Sequence, residues 1–131
     1  MQDRRHSHKE LSGKLKRARE LLNSNGYLVA EAIKLASNFQ SIDLYTPLEQ
    51  KEAVKQAFHE VRPEDYVGNH PPKSARAPSI VGKELLEFRW QSRDFCKMMY
   101  LKFCLRGPKG KEELFLCSLH EHVERELVMR K

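Results

Sequence analysis

The sequence predicts an α+β fold, with N-terminal helices packed on one face of a C-terminal antiparallel β-sheet. Three observations carry this. Apolar residues recur at helical spacing through the first half of the chain. After residue 80 the pattern changes to apolar runs with strand-like alternation. Two of those runs, 96–106 and 112–120, flank the Gly/Pro segment Arg106-Gly107-Pro108-Lys109-Gly110, the pattern of a β-hairpin.

Leu11, Leu15, Ala18 and Leu22 form one stripe, with Leu21 beside it, which predicts a helix over 9–23. Asn23-Ser24-Asn25-Gly26 stops it. A second helix is expected over about 28–38, where Val29, Ala30, Ile33, Leu35 and Ala36 give a broad apolar side. The third has the clearest start. Thr46-Pro47-Leu48-Glu49 supplies an N-cap hydroxyl, a proline at the first helical position and a glutamate at the third. Leu48, Val54, Ala57, Phe58 and Val61 are spaced for one face, and the helix ends before Pro63.

Residues 63–79 form a long irregular segment made cationic by His70, Lys73 and Arg76. Loops of this length in small domains are often functional. Strands follow at about 84–91, 96–106 and 112–120, and the tail 122–131 reads as a short helix or an edge strand. The length, 131 residues, fits one domain whose core needs neither disulfides nor metal.

In the strand 96–106, Met99, Leu101, Phe103 and Leu105 share the better core face, and Met98, Tyr100, Lys102 and Cys104 share the other. Two registers are open. A two-residue loop at Pro108-Lys109 pairs Tyr100 with Cys117. A three-residue loop at Lys109-Gly110-Lys111 pairs Tyr100 with His120 and Leu101 with Leu119. The second is preferred: it places Phe115, Cys117 and Leu119 toward the core and gathers Tyr100, Lys102, Ser118 and His120 on the opposite face. A one-residue slip would exchange the faces of the whole strand. These polar groups suit either a half-buried sheet with bonded hydroxyls and snorkelling lysine, or a site for a phosphodiester.

The formal net charge is +6. Residues 1–20 hold seven basic side chains against three acidic ones. Such a surface attracts phosphate backbones, and it also keeps a small domain soluble. Cys96, Cys104 and Cys117 are odd in number and form no Cys-x-x-Cys pair, so reduced thiols and a cytoplasmic setting are expected. No apolar run approaches the length of a membrane span. His6 and His8, and His120 and His122 with Cys117, lack a second pair at ligand spacing, so no metal site is assigned. Arg89 and Arg93 flank Trp90-Gln91, either as phosphate contacts or as solvated strand-end charges.

Residues 50–122 resemble the motility quorum-sensing regulator (MqsR) toxins, bacterial ribonucleases of the RelE-like fold. The likeness rests on Tyr100-Leu101-Lys102, a turn, then an apolar strand ending in Ser118-Leu119-His120-Glu121, with Glu64-Asp65-Tyr66 upstream. The resemblance implies cleavage of single-stranded mRNA without metal or other cofactor, by the toxin of a type II toxin-antitoxin system whose cognate antitoxin occupies the site. It implies Tyr100, His120 and Lys102 as catalytic residues. The tryptophan-glutamine pair of the family maps to Trp90-Gln91. Its lysine after Ser-Phe falls on His120, a better acid or base near neutral pH. Its lysine after the acidic-aromatic segment falls on Gly68, and His70 or Lys73 would have to replace that cation. Contacts to RNA are expected from His70, Lys73, Arg76, Arg89, Gln91 and Arg93. Two other classes stay open: a catalytically silent RNA- or protein-binding module on the same scaffold, and an immunity or adaptor protein whose basic helix docks an acidic partner.

Overall fold

The structure is a computed structural model describing residues 8–68 and 72–122. It is α+β. Helix α1 (His8–Ser24) is followed by a short strand β1 (Leu28–Val29), helices α2 (Ala32–Ser41) and α3 (Pro47–Glu60), and strands β2 (Leu86–Gln91), β3 (Met98–Arg106) and β4 (Glu113–Glu121). The strands form one sheet in the order β1-β4-β3-β2.

The expected stripe of α1 is buried in full: Leu11, Leu15, Ala18, Leu21 and Leu22. The helix closes with Asn25 N–H donating to Leu21 O (2.7 Å), and Gly26 then reverses the chain at φ +79°. At α3 the capping box forms as the sequence predicts. Glu49 N–H donates to Thr46 Oγ1 and Thr46 N–H to Glu49 Oε1, both at 3.1 Å. Ala53, Val54, Ala57 and Phe58 are buried, and Phe58 meets Phe103 edge-on at 5.0 Å. Leu48, expected on the same face, is exposed in the first turn.

Two expectations about the elements are corrected. The segment 28–38 is not one helix. Leu28 and Val29 pair in parallel with Phe115 and Leu116 of β4, and helix begins only at Ala32. The sheet is therefore mixed rather than wholly antiparallel. The edge of β4 offers backbone partners to this short apolar run, a tertiary opportunity that local periodicity does not encode. Ile33, expected on the apolar side, is exposed.

The second correction concerns β4. Tyr100 faces His120, Leu101 faces Leu119 and Lys102 faces Ser118, the preferred register. Beyond that point Phe103 faces Leu116, so Cys117 is an extra residue, a β-bulge. The bulge reverses the faces of the remaining residues. Leu114 and Leu116 join the helix-side core, while Phe115 and Cys117 join Cys104 on the opposite face. Residues 107–112 make the connection, longer than the three-residue loop expected. Gly107, at φ +116°, is required there: a Cβ would lie 2.8 Å from Lys111 O.

Helices α1 and α3 share one core with the inward face of the sheet, through Leu86, Phe88, Trp90, Met99, Leu101 and Phe103. The outward face is covered along part of its length. Residues 73–85 fold back on themselves, with Ala75 N–H donating to Lys83 O (2.7 Å) and Leu85 N–H to Lys73 O (2.8 Å). Ala75 and Ile80 from this segment bury Cys104, Phe115 and Cys117. The stretch 63–79 is thus, over its described residues 63–68 and 72–79, more ordered than a loop. It holds short 3-10 turns at Pro63–Asp65 and Pro78–Ile80, and Tyr66 bridges to Phe88 along the free edge of β2. His70 and the tail 123–131 lie outside the described residues.

Candidate nucleic-acid interface

The uncovered part of the outward face is built by strand alternation. In β2, Leu86, Phe88 and Trp90 point into the core, so Glu87, Arg89 and Gln91 point out. Register then fixes their neighbours. Arg89, Tyr100 and His120 form one row across three adjacent strands, and Glu87, Lys102 and Ser118 form the next.

The two rows are tied diagonally. Tyr100 Oη donates to Glu87 Oε1 at 2.6 Å. Half-burial, and then this bond to a carboxylate, push the Tyr100 phenol well above its ordinary value. It is therefore a hydrogen-bond donor, not a base. The Tyr100 and His120 rings lie 5.1 Å apart at a tilt of 31°. His120 Nδ1 sits 2.9 Å from Glu121 O. A carbonyl only accepts, so Nδ1 carries the proton and Nε2 is the ring's remaining exchangeable position. Arg89 Nη1 lies 3.3 Å from His122 Nε2 at the open edge of the row.

Lys102 is half-buried, and its ammonium is pushed below its ordinary value by that burial and then by Lys34 beside it. Two ammonium groups in contact repel, and an anion between them would relieve the repulsion. Lys34 is on α2, which enters the site because β1 anchors the chain to the edge of β4. Ser118 is 1% exposed and its hydroxyl has no hydrogen-bond partner among the described residues.

Next to this face lies a cavity of about 860 Å³ between the sheet and residues 73–85. Lys73, Arg76, Lys102, Glu87, Glu31 and Cys117 are among the groups lining it. Its walls also include Ala30, Ala77 and Leu85. Cationic groups on an apolar support suit a ligand that is both anionic and flat-sided.

Tyr100, His120, Lys102, Arg89, Lys73 and Arg76 therefore converge on one side of the molecule. Gln91 points outward at the end of β2 but lies with Arg93 away from this group. Both line a second cavity, of about 670 Å³, with Glu60, Arg62 and Trp90 at the end of α3. Trp90 points to the helix side and donates to Glu60 Oε1 at 2.9 Å. An added Cβ at Gly68 would meet Tyr66 Oη at 2.6 Å, so a side chain there requires the Tyr66 ring to shift. The basic helix α1 packs on the inward face, away from this site. Arg19 donates to Phe58 O (2.6 Å) and Val61 O (2.7 Å) at the end of α3, and Arg17 donates to Glu112 Oε1 (2.9 Å).

Glu87 and Lys34 were missed in the sequence. Glu87 was legible, since it precedes Arg89 by two in an alternating strand. Lys34 was not, because the start of α2 was misplaced. Among the described residues no group of three metal-ligating side chains converges, and no helix is long and apolar enough to cross a membrane. Comparison with protein-family models, curated proteins and solved structures finds no match.

Proposed function

We propose that the outward face binds single-stranded RNA and cleaves it without a metal, by transfer of the 2′-oxygen to the adjacent phosphorus. The observation that carries this reading is the Arg89–Tyr100–His120 row with Glu87 bonded to Tyr100. A carboxylate and an imidazole stand on strands two apart, about 9–10 Å between backbones, with the tyrosine between them. That gap takes one phosphodiester over the central strand. Glu87 accepts the 2′-hydroxyl proton. Protonated His120 donates from Nε2 to the leaving 5′-oxygen, on the opposite side of phosphorus. Arg89 and Lys102 stabilise charge on the non-bridging oxygens. Tyr100, held as a neutral phenol, orients Glu87.

This assignment makes the carboxylate, and not the tyrosine it touches, the base. It supports a toxin of the RelE-like kind, whose antitoxin would act by covering this face. The apolar wall and the cations of the neighbouring cavity supply binding for the flanking nucleotide.

The test is cleavage of a single-stranded RNA by the purified chain with a chelator present. Glu87→Gln and His120→Gln should each lower the rate by about 10²–10⁴-fold. Tyr100→Phe keeps both groups and should cost less than either. Folded protein that leaves RNA intact but still binds it would replace the enzyme with a silent RNA-binding module. Binding that is unchanged in Lys102→Ala and Arg89→Ala would remove this face from both readings.

A further inference from the structure

Cys104 and Cys117 are far apart in sequence order along the hairpin, yet their side chains share one small apolar cluster with Phe115, Ala75 and Ile80. The bulge is the cause. In unbroken alternation Cys117 would point to the helix side, as the sequence predicted. As the extra residue between Leu116 and Ser118 it turns outward instead, beside Cys104 on β3. The two thiols are close enough for each to shift the other's ionisation. The two differ in access. Cys104 is fully enclosed, whereas Cys117 lines the large cavity along with Lys102. Cys96 is separate, exposed in the turn between β2 and β3.

We propose that Cys117 and Cys104 form a peroxide-reactive thiol pair, in which Cys117 is oxidised first and Cys104 closes a disulfide onto it. The cavity gives a small hydroperoxide access to the Cys117 sulfur. The neighbouring Cys104 thiol, with Lys102 and Lys34 nearby, favours the Cys117 thiolate, against the cost of burial. The Cys117 thiolate attacks one peroxide oxygen and the O–O bond breaks. With hydrogen peroxide the products are a sulfenic acid and hydroxide. The Cys104 thiol, losing its proton, then attacks the Cys117 sulfur. The S–S bond forms, the S–O bond breaks and water leaves. Two electrons pass from the thiols to the peroxide. The two side chains share one buried cluster on adjacent strands, which brings the sulfurs together to bond. The product would fasten β3 to β4 at the floor of the cavity, next to Lys102.

This inference is independent of RNA cleavage, and its test reads only the thiols. Cys96→Ser protein, folded and reduced, is treated with hydrogen peroxide, then denatured and alkylated. The expected product is a monomer lighter by two hydrogens, with the peptides of residues 104 and 117 linked, and with both changes reversed by dithiothreitol. In Cys96→Ser/Cys104→Ser protein, dimedone should trap a sulfenic acid at residue 117. In Cys96→Ser/Cys117→Ser protein it should trap none at residue 104. Two alkylatable thiols after peroxide, in protein that keeps its native circular dichroism, would overturn the proposal. So would dimedone labelling confined to residue 104.

Discussion

Glu60 holds the turn between β2 and β3 almost by itself. Its Oε1 accepts from Trp90 Nε1 (2.9 Å) and Ser92 Oγ (2.6 Å), and its Oε2 from the backbone N–H groups of Arg93 (3.0 Å) and Asp94 (3.1 Å). Partial burial pushes this carboxyl up, but the hydrogen bonds from Ser92, Trp90, Asp94 and Arg93 together hold it below its ordinary value. Glutamine keeps one oxygen but turns an NH₂ toward donors. Glu60→Gln should therefore cost about 1–2 kcal/mol at neutral pH, allowing for solvent screening. Because the folded value is depressed, this contribution is complete above the unfolded carboxyl value of about 4.3 and is lost as pH falls through the lower folded value. Denaturant melts of both proteins at neutral pH and near pH 3 should show the difference shrink on acidification. A pH-independent difference would assign the loss to packing instead. The residue-scale pattern at the candidate site is similar. Tyr100 was legible as a polar group on an apolar strand and Glu87 as an outward residue of another, but the bond between them was not, because a hydrogen bond across strands depends on register.

Among the elements, α3 was the most legible, since its start is written in Thr46-Pro47-Leu48-Glu49 and its face in Val54, Ala57 and Phe58. Phe58 is fully buried and packs edge-on against Phe103, which itself stacks on Phe88 at 5.9 Å. Phe58→Ala should destabilise the fold by about 3–5 kcal/mol, through lost transfer energy and a cavity that Phe103 and Phe88 cannot refill. That is a large share of the ~5–15 kcal/mol of a typical domain, so the melting temperature should fall steeply. A small shift would mean that α3 is not fixed to the sheet through this ring. The least legible elements were β1 and the bulge in β4. Tyr27-Leu28-Val29-Ala30 is apolar enough for a helix or a strand, and only the free edge of β4 decides. The bulge has no local signature. Cys117 is displaced because Phe115 and Leu119 are both wanted by cores, on opposite faces of one strand.

At the scale of the molecule, the two faces of the sheet divide the work. The inward face is filled by helices; the outward face is half covered by 73–85 and half open around Tyr100. Net charge predicts an affinity for phosphate but not its location. Arg17 and Arg19 in the basic N-terminal helix are engaged with Glu112 and with the end of α3, so the cations proposed to meet RNA are Lys34, Lys73, Arg76, Arg89 and Lys102. RNA affinity should then fall with salt at a log–log slope of about −0.7 per phosphate contact. Removing Lys73 and Arg76 together should flatten that slope by roughly 1–1.5. Removing Lys9 and Lys16 from α1, on the far side, should leave it nearly unchanged. Equal effects of the two pairs, read by fluorescence anisotropy across a salt series, would mean diffuse attraction rather than a site.

The sequence alone determined the α+β class, the helices α1 and α3 and the hairpin of β3 and β4. Each of these follows from local periodicity, capping and turn chemistry, which act between residues close in the chain. Tertiary structure decided what local patterns leave degenerate. It turned 28–29 into an edge strand, placed the bulge at Cys117, laid residues 73–85 over half of the outward face, and set Glu87 and Lys34 against Tyr100 and Lys102. The physical reason is that each of these depends on which distant surface is available to pair with or to cover, and the same short run of residues is satisfied by more than one such surface.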